Sequence, residues 1–366
     1  LEMSRRTRRV TLVAAFVLVA AAVLAWWQRG EIAIALVKRA ALAQLSADPA
    51  AELPDGLHVG LCGAGSPFPD PRRGGPCTLV LAGRTLLVFD AGSGATRTIG
   101  RMGFDTGRID AILLTHLHSD HFDGLGELLL QRWVAGTRTA PVPVHGPPGV
   151  EEVLAGLARA YAPDRGYRIA HHGPDVVPPS GAGGVPLPVS TGSERRATVI
   201  ADGALEVVAF EVDHAPAHPA YGYRIRYRDR VVVLSGDTRR SDAVAREARG
   251  ADLLVHEALS ERLLAVLDEA AAATGRGLLR RILHDIVGYH ASPEDAATIA
   301  RDAGVGALLL NHVVPPLPLD ALEPVFLGDA PRIFGGPLRV GRDGDFVSLP
   351  AGSREIRIGT RFGALR

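Results

Sequence analysis

The chain has 366 residues, a formal net charge of zero at pH 7 and a composition typical of globular domains. This length is enough to bury a large core, and the balanced charge excludes a global electrostatic attraction to nucleic acid or to acidic partners. Only Cys62 and Cys77 occur, which is too few for a disulfide framework or a cysteine zinc site. The two could pair with each other, or they could be two small buried residues.

The N-terminal segment carries a membrane signal. Four arginines, at positions 5, 6, 8 and 9, precede an uncharged apolar run from Val10 to Trp27. A run of about 18 residues is near the lower limit for spanning a bilayer, and the clustered arginines favour a cytoplasmic N-terminus. We interpret this run as a membrane anchor. A cleaved signal peptide, with Val23-Leu24-Ala25 near the cleavage site, and a buried core helix are the alternatives.

This interpretation divides the chain into four parts. Residues 1–9 form a basic cytoplasmic N-terminus, 10–28 the anchor or signal segment, 29–54 an alanine-rich helical stalk, and 55–366 the main domain. The main domain is then expected outside the cytoplasm, either membrane-anchored or, after cleavage, secreted. The sequence does not indicate an oligomeric state.

Strands and helices alternate along the main domain, which predicts a layered α/β fold. Apolar runs bounded by turn residues predict strands at 57–61, 78–82, 85–89, 111–114, 142–147, 205–212, 221–227, 231–234, 253–255 and 307–310. Apolar periodicity predicts helices over 149–161 and 260–286, the second broken near 275–277, and Ser292-Pro293 begins a third that runs to residue 303. Residues 162–197 are predicted to be an irregular excursion in which His171 and His172 are exposed, and 338–340 with 346–349 a closing hairpin.

One short segment carries four metal-binding side chains directly after a predicted strand. His116, His118, Asp120 and His121 fall within six residues, where imidazoles and a carboxylate can converge on a divalent cation. Later predicted strands end in a similar way, at His214, Asp237, His256 and His312. Because the strand ends of one sheet can meet at one edge, these residues are expected to line a common site.

In its order of ligands, the chain resembles the metallo-β-lactamase superfamily from residue 57 to residue 349. Further segments are similar to the branch of ribonuclease Z and arylsulfatase-like phosphodiesterases, among them Gly63-Ala64-Gly65-Ser66-Pro67, Asp90-Ala91-Gly92, Ser235-Gly236-Asp237-Thr238 and His256-Glu257-Ala258. The resemblance implies a four-layer αββα sandwich with two zinc ions. His116, His118 and His214 would bind the first ion, Asp120, His121 and His312 the second, and Asp237 would bridge both.

The same resemblance implies catalytic roles. Two zinc ions can lower the pKa of a shared water and stabilise both oxygens of an ester cleavage. Asp120 would orient or deprotonate that nucleophile, and His290 would be the general acid, although it could instead be a polar residue at the start of the helix that Ser292 caps. His256 and Glu257 would orient metal ligands.

One departure from ribonuclease Z guides the functional prediction. Only two predicted strands and a turn separate His214 from Asp237, which leaves no room for the long arm with which many ribonuclease Z proteins grip tRNA. No lysine-rich patch replaces that arm, so there is no strong nucleic-acid signal. We therefore expect a zinc-dependent hydrolase of small phosphodiester, sulfate-ester or related esters. The alternatives are a ribonuclease Z-like endoribonuclease that processes tRNA 3′ ends and a metal-binding module without turnover.

Overall fold

A computed structural model of the chain describes residues 5–46 and 48–362. Residues 1–4 of the predicted basic N-terminus, residue 47 of the predicted stalk and the last four residues of the predicted main domain lie outside these ranges. The described chain forms two compact units, one ending at Pro49 and the other beginning at Ala50.

The first unit is helical. It contains α1 (Arg5–Trp27) and α2 (Arg29–Ser46). Among the described residues, α1 is the one helix whose length and apolar composition would allow it to cross a membrane, and a signal sequence would meet the same criteria. Its side chains are exposed throughout, as expected for an apolar helix that has no protein core around it.

The second unit contains the strands of the described residues and the remaining helices, the first of which begins at Pro49, one residue before the unit. The strands are β1 (Gly56–Gly63), β2 (Cys77–Ala82), β3 (Thr85–Phe89), β4 (Ala111–Leu113), β5 (Val142–Gly146), β6 (Gly184–Pro188), β7 (Arg196–Asp202), β8 (Leu205–Val212), β9 (Ala220–Tyr227), β10 (Arg230–Leu234), β11 (Leu253–Leu259), β12 (Leu308–Val314), β13 (Leu338–Val340), β14 (Asp345–Pro350) and β15 (Arg357–Thr360). The helices are α3 (Pro49–Glu52), α4 (Ala95–Arg101), α5 (Leu125–Gly136), α6 (Val150–Ala160), α7 (Ala162–His172), α8 (Asp242–Glu247), α9 (Glu261–Ala273), α10 (Gly277–Val287), α11 (Pro293–Ala303), α12 (Glu323–Leu327) and α13 (Ala330–Ile333).

The strands form two sheets. The first has the order β15-β14-β1-β2-β3-β4-β5-β6, and the second has the order β13-β12-β11-β10-β9-β8-β7. Strands β3 to β6 are parallel to one another, and so are β10 to β13, while the other pairs are antiparallel. Parallel strands end at the same edge of their sheet, so residues near the ends of β10 and β12 can lie together in the second sheet, as those after β3 and β4 can in the first.

Three apolar layers explain how the sheets are stacked. Alternate residues of both sheets, such as Val59 and Val207, pack into one core between them. The opposite face of the first sheet packs against α4, α5 and α6, and that of the second against α8, α11 and α13. The order is therefore helix, sheet, sheet, helix, as the resemblance implied.

The prediction for residues 162–197 was wrong. This segment contains α7, β6 and the start of β7. The helix was missed because none of its residues is buried, so it has no apolar face that a core would require. Strand β6 carries Pro186 and Pro188, which are tolerated because β6 lies at the edge of the first sheet. His171 and His172 are exposed, as predicted.

The predicted closing hairpin was also wrong. Strand β13 pairs with β12 in the second sheet, whereas β14 pairs with β1 and β15 in the first sheet. Adjacency in sequence suggested pairing, but each strand extends the sheet that its own apolar face completes. The predicted helix start at Ser292 was correct, because the Ser292 side chain accepts a hydrogen bond from the Asp295 backbone in a capping box.

Candidate metal centre

Three loops and a bulge in β12 bring the predicted ligands together at one edge of the two sheets. Strand β4 leads into the loop that holds His116 and His118, and this loop ends in a 3₁₀ turn, Ser119–His121. His214 follows β8, and Asp237 follows β10. The buried strands fix where each loop starts, so the ligand positions are set by the cores of both sheets.

Three imidazoles form one donor group. Nε2 of His116 lies 3.0 Å from Nδ1 of His118, and Nε2 of His214 lies 3.2 Å from the same Nδ1 atom. The three ring nitrogens lie within 4.8 Å of one another, a spacing suited to holding a metal ion. This is the set predicted for the first ion.

Two imidazoles and a carboxylate form a second donor group beside the first. Nε2 of His121 lies 3.6 Å from Oδ2 of Asp120, and Nε2 of His312 lies 3.4 Å from the same oxygen. Asp237 lies between the two groups, because its Oδ2 is 3.2 Å from both His121 and His312. The same oxygen is 3.9 Å from Nε2 of His116 and of His214, on the other side.

The donor set fits divalent metal. Zinc bonds to nitrogen of about 2.0–2.1 Å in a tetrahedral arrangement would place neighbouring ligand atoms about 3.3 Å apart, close to the separations within each group. Five imidazoles and two carboxylates are also the ligand types that zinc prefers. Imidazole nitrogens that face each other this closely cannot all carry protons, which is consistent with a shared cation.

A layer of hydrogen bonds orients these imidazoles. Nδ1 of His121 donates to the Asp90 carboxylate at 2.8 Å, and Nδ1 of His214 donates to the Tyr289 carbonyl at 2.9 Å. In both rings the Nε2 atom is left free to face the site. Asp90 is itself fixed by Thr115, whose backbone N–H and hydroxyl donate to its two oxygens at 2.8 and 2.9 Å.

His312 is placed by a β-bulge. In the pairing of β11 with β12, Glu257 faces Asn311 and Ala258 faces Val313, so His312 is the extra residue. Its φ angle of 44° lies in the left-handed region, which is unusual for a residue other than glycine. The bulge turns the side chain of His312 towards the site, in the way that bulges beside active sites commonly do.

His290 lies beside both donor groups. Its ring is 5.1 Å from that of His214 and 5.3 Å from that of His312. Nδ1 of His290 donates to Oε1 of the fully buried Glu257 at 3.1 Å. Burial alone would lower the pKa of His290, but the Glu257 carboxylate outweighs burial and raises this pKa to about 9. The Glu257 carboxylate therefore favours the protonated form of His290.

Burial and opposite charges set the protonation of the central ligands. Burial lowers the pKa of His116 well below its ordinary value, so the ring is neutral, which is the form that binds metal. Burial would raise the pKa of Asp237, but His312 and His121 outweigh it and hold this pKa well below the usual range. Asp237 is consequently an anion at the centre of the site.

Glycines allow the metal-binding loop to lie close to the first sheet. A Cβ atom on Gly92 would lie 2.4 Å from the carbonyl carbon of Gly75 and 2.5 Å from the Asp120 carbonyl oxygen. The Gly92 backbone N–H donates to the Pro76 carbonyl at 2.9 Å.

The two cysteines are paired. Cys77, which follows Pro76, forms a buried disulfide with Cys62, so of the two possibilities that the sequence left open, the structure has the disulfide.

The structure brings all the predicted ligands and His290 to one place. It differs from the prediction for His256 and Glu257. Glu257 contacts His290 and the backbone N–H of Thr238, and His256 bonds to the Glu257 carbonyl, so neither side chain contacts a predicted ligand by hydrogen bond within the described residues. The roles of Asp90 and Thr115 were missed. The sequence does contain a pattern that could have indicated the role of Asp90. Asp90-Ala91-Gly92 follows a predicted strand, as Asp237 does.

Comparison with known proteins agrees with this geometry. The profile of the Metallo-beta-lactamase superfamily matches residues 70–298. The chain belongs to the metallo-beta-lactamase superfamily. This fold implies a divalent metal, typically zinc, for which the two donor groups are the candidate ligands. Membership of this superfamily also supports the chain as a metal-dependent hydrolase.

Relatives within the superfamily carry a more specific name. A protein named Ribonuclease Z from Mycolicibacterium paratuberculosis is 36% identical over 299 residues, which cover 81% of this chain and 100% of that protein. The metallo-beta-lactamase fold protein YhfI from Bacillus subtilis superposes with a TM-score of 0.58 at 19% identity, covering 81% of this chain and 100% of YhfI. The short form of human tRNase Z superposes with a TM-score of 0.54 at 22% identity, covering 80% and 99%. The last two likenesses show the fold alone.

Proposed function

We propose that the chain is a ribonuclease Z-type phosphodiesterase whose site holds two zinc ions. The observation that carries the proposal is the position of Asp237, whose Oδ2 lies 3.2 Å from His121 and His312 and 3.9 Å from His116 and His214. A carboxylate oxygen placed between two three-ligand groups suits a bridging ligand. The relatives named Ribonuclease Z support phosphodiester cleavage as the reaction.

Each polar residue of the site has a part in this proposal. Bound zinc would supply Lewis-acid polarisation of the phosphodiester and a water that ionises near neutral pH. Asp120, at the open side of the second donor group, orients the attacking water and accepts its proton. His290 donates a proton to the leaving oxygen, and Glu257 keeps it protonated and correctly turned for that transfer.

RNA is the substrate class that the relatives favour. The chain covers the full length of the protein named Ribonuclease Z from Mycolicibacterium paratuberculosis, so the similarity is not confined to the metal-binding motifs. On this basis the ribonuclease Z alternative has more support than the small-ester function that the sequence led us to expect. The proposal therefore includes a nucleic-acid substrate, despite the zero formal net charge.

A small phosphodiester is the second candidate, and a specific observation favours it. His214 and Asp237 are joined by β9, β10 and short connections only, and β9 pairs with both β8 and β10 in register. No arm projects between them that could grip a folded RNA far from the site. A substrate that is bound only at the metal centre, such as a small phosphodiester or sulfate ester, would need no such arm.

The compartment of the catalytic unit affects the choice between an RNA and a small ester as substrate. We propose that the catalytic unit lies outside the cytoplasm. Helix α1 is apolar enough to span a membrane, and the arginines in its first two turns favour a cytoplasmic N-terminus. The buried Cys62–Cys77 disulfide supports an oxidising environment. A fusion of alkaline phosphatase to the C-terminus, compared with a cytoplasmic reporter fused at the same point, tests this orientation. An active cytoplasmic reporter would contradict it.

Full-length, zinc-loaded protein would be assayed on a precursor tRNA with a 3′ trailer and on bis(p-nitrophenyl) phosphate and p-nitrophenyl sulfate. Cleavage at the tRNA 3′ end, abolished in Asp120→Ala, supports the first candidate. Turnover of only the small esters, again abolished in Asp120→Ala, supports the second. Full zinc occupancy without turnover of any substrate would contradict both and favour a metal-binding module.

A further inference from the structure

The α9–α10 hairpin has two different faces. On its inner face, Leu264 and Leu283 pack against Leu259 and Val314 of the second sheet. On its outer face, large apolar side chains lie in solvent, with exposed fractions of 58% for Val266, 84% for Leu278 and 53% for Ile282. Exposed apolar side chains grouped on one element indicate an interaction surface more often than chance exposure.

The end of the hairpin is also basic. Residues 270–284 contain three arginines, Arg276, Arg280 and Arg281, and no aspartate or glutamate. Arg280 joins the two helices through hydrogen bonds of 2.9 and 3.0 Å to Asp268. Arg281 is 4.0 Å from Asp285, with both side chains mostly exposed, and within residues 48–362 no ion pair is formed by Arg276. We call residues 275–282 the hairpin tip.

We propose that the hairpin tip docks on an anionic phospholipid surface. Leu278 and Ile282 lie four residues apart on α10, so they share one face and can enter the boundary between headgroups and acyl chains together. The neighbouring guanidinium groups can then contact lipid phosphates, because arginine side chains reach from an apolar boundary to the charged layer. Apolar side chains flanked by arginines, with no acidic residue between them, are complementary to the apolar boundary and the negative phosphates of such a lipid surface.

Two features of the chain favour a lipid surface over a soluble partner. Helix α1 meets the length and composition criteria for a membrane span, which would hold the catalytic unit near a bilayer. Membrane proximity makes even a weak surface contact effective, since the contact becomes intramolecular. The hairpin is also braced internally by Asp268, which contacts His284 at 3.2 Å as well as Arg280. A rigid tip loses little conformational entropy on docking.

The docked hairpin would bear on the candidate metal centre. Helix α10 ends at Val287, three residues before His290, and Tyr289 supplies the carbonyl that orients His214. Contact of the tip with lipid would therefore involve the helix that leads directly into residues beside the site. This inference concerns an interaction surface and does not depend on which ester the site cleaves.

The test uses the full-length chain in vesicles of phosphatidylcholine and phosphatidylglycerol. Both native cysteines form the disulfide, so Leu278→Cys supplies a single free thiol for an environment-sensitive fluorophore. Ala155→Cys, at an exposed position on α6, is the matched control. Nitroxide-labelled lipids are expected to quench the fluorophore at residue 278 and leave that at residue 155 unquenched, with thermal unfolding unchanged in both variants.

Arginine variants test the electrostatic part. In Leu278→Cys protein, adding Arg276→Gln and Arg281→Gln is expected to lower the ratio of docked to undocked tip about fivefold per arginine, and vesicles of phosphatidylcholine alone should weaken docking similarly. Equal quenching at residues 278 and 155, or none at residue 278, would overturn the proposal. A fluorescence change at residue 278 that grows with protein concentration without lipid quenching would also overturn it, and would indicate a second copy of the chain.

Discussion

The Asp90 carboxylate accepts a 2.8 Å hydrogen bond from Nδ1 of His121. Asp90 adopts a φ angle of 57° directly after β3, and Thr115 at the end of β4 donates to both of its oxygens. One side chain thus couples two adjacent strands to the orientation of a candidate metal ligand. The carboxylate also makes Nε2 of His121 a stronger donor to a cation, because it stabilises the positive charge that the ring acquires.

Replacing Asp90 with asparagine should weaken metal binding by the second donor group. The asparagine side chain would keep the size of the aspartate and tolerate the left-handed backbone, but it would remove the negative charge beside His121. We expect a loss of about 10- to 100-fold in metal affinity or activity, measured by zinc titration and by hydrolysis of a chromogenic ester. Asp110→Asn is the control, since Asp110 accepts the Leu86 N–H before β4 begins. An equal effect of both substitutions would argue against this role.

Removing the metal should destabilise the catalytic unit. A ligand that binds only the native state stabilises it by about 2.7 kcal/mol when its free concentration is 100 times its dissociation constant. For a domain of this size, chelation should therefore lower the melting temperature by about 4 °C. Differential scanning calorimetry with and without a chelator measures the change, and zinc should reverse it. In Asp237→Asn the chelator should have little effect. An unchanged wild-type melting temperature would show that no metal is bound.

Adding a single methyl group at Gly92 should displace the metal-binding loop. The new Cβ would meet the carbonyl carbon of Gly75 at 2.4 Å and the Asp120 carbonyl oxygen at 2.5 Å, so the backbone must move. We expect Gly92→Ala to cost about 1–3 kcal/mol of unfolding free energy and to lower zinc retention.

Gly100→Ala is the matched control for this substitution. Gly100 lies in α4, and a Cβ atom there would meet nothing within 4 Å. This variant should be more stable by about 0.5–1 kcal/mol, because alanine restricts the unfolded chain and favours the helix. Urea unfolding measures both variants. Normal zinc retention in Gly92→Ala would contradict the close packing that we describe.

Loss of the disulfide should reduce stability and leave the site assembled. The bond joins residues 15 apart in sequence, and closing a loop of that length contributes about 3 kcal/mol in the chain-entropy view. The double variant Cys62→Ala and Cys77→Ala should lose this amount in urea unfolding while it still binds zinc. Wild-type protein unfolded with a reductant should match it. A change below about 1 kcal/mol would mean that the β1–β2 pairing needs no covalent support.

Sequence reasoning identified the donor set because that set uses rare residue types at strand ends. His116 to His121 form a compact motif, and His214, Asp237 and His312 each follow a strongly apolar run. It missed the support provided by Asp90, since a single carboxylate after a strand has many ordinary uses. The bulge at His312 could not be predicted either, because the register of a parallel strand pair depends on the hydrogen-bonding positions of both strands and not on one segment alone.

The errors in the fold arise where a segment's own pattern carries no information on packing. Helix α7 was missed because it buries no residue and so shows no apolar face. Strand β13 lies where it was predicted, but three residues are too few to indicate which strand it pairs with. The buried strand β10 and the two halves of the helical stretch after residue 260 were predicted because their own apolar residues mark the face that packs.

The distribution of the metal ligands along the chain affects how the protein matures. The first of them is His116 and the last is His312, so a ribosome or translocon must release most of the polypeptide before the donor set exists. A partly synthesised chain therefore lacks part of the donor set until His312 has emerged. The complete set can therefore take up its metal only in the compartment in which folding is completed, and a shortage of metal there would leave full-length protein with the candidate metal centre empty.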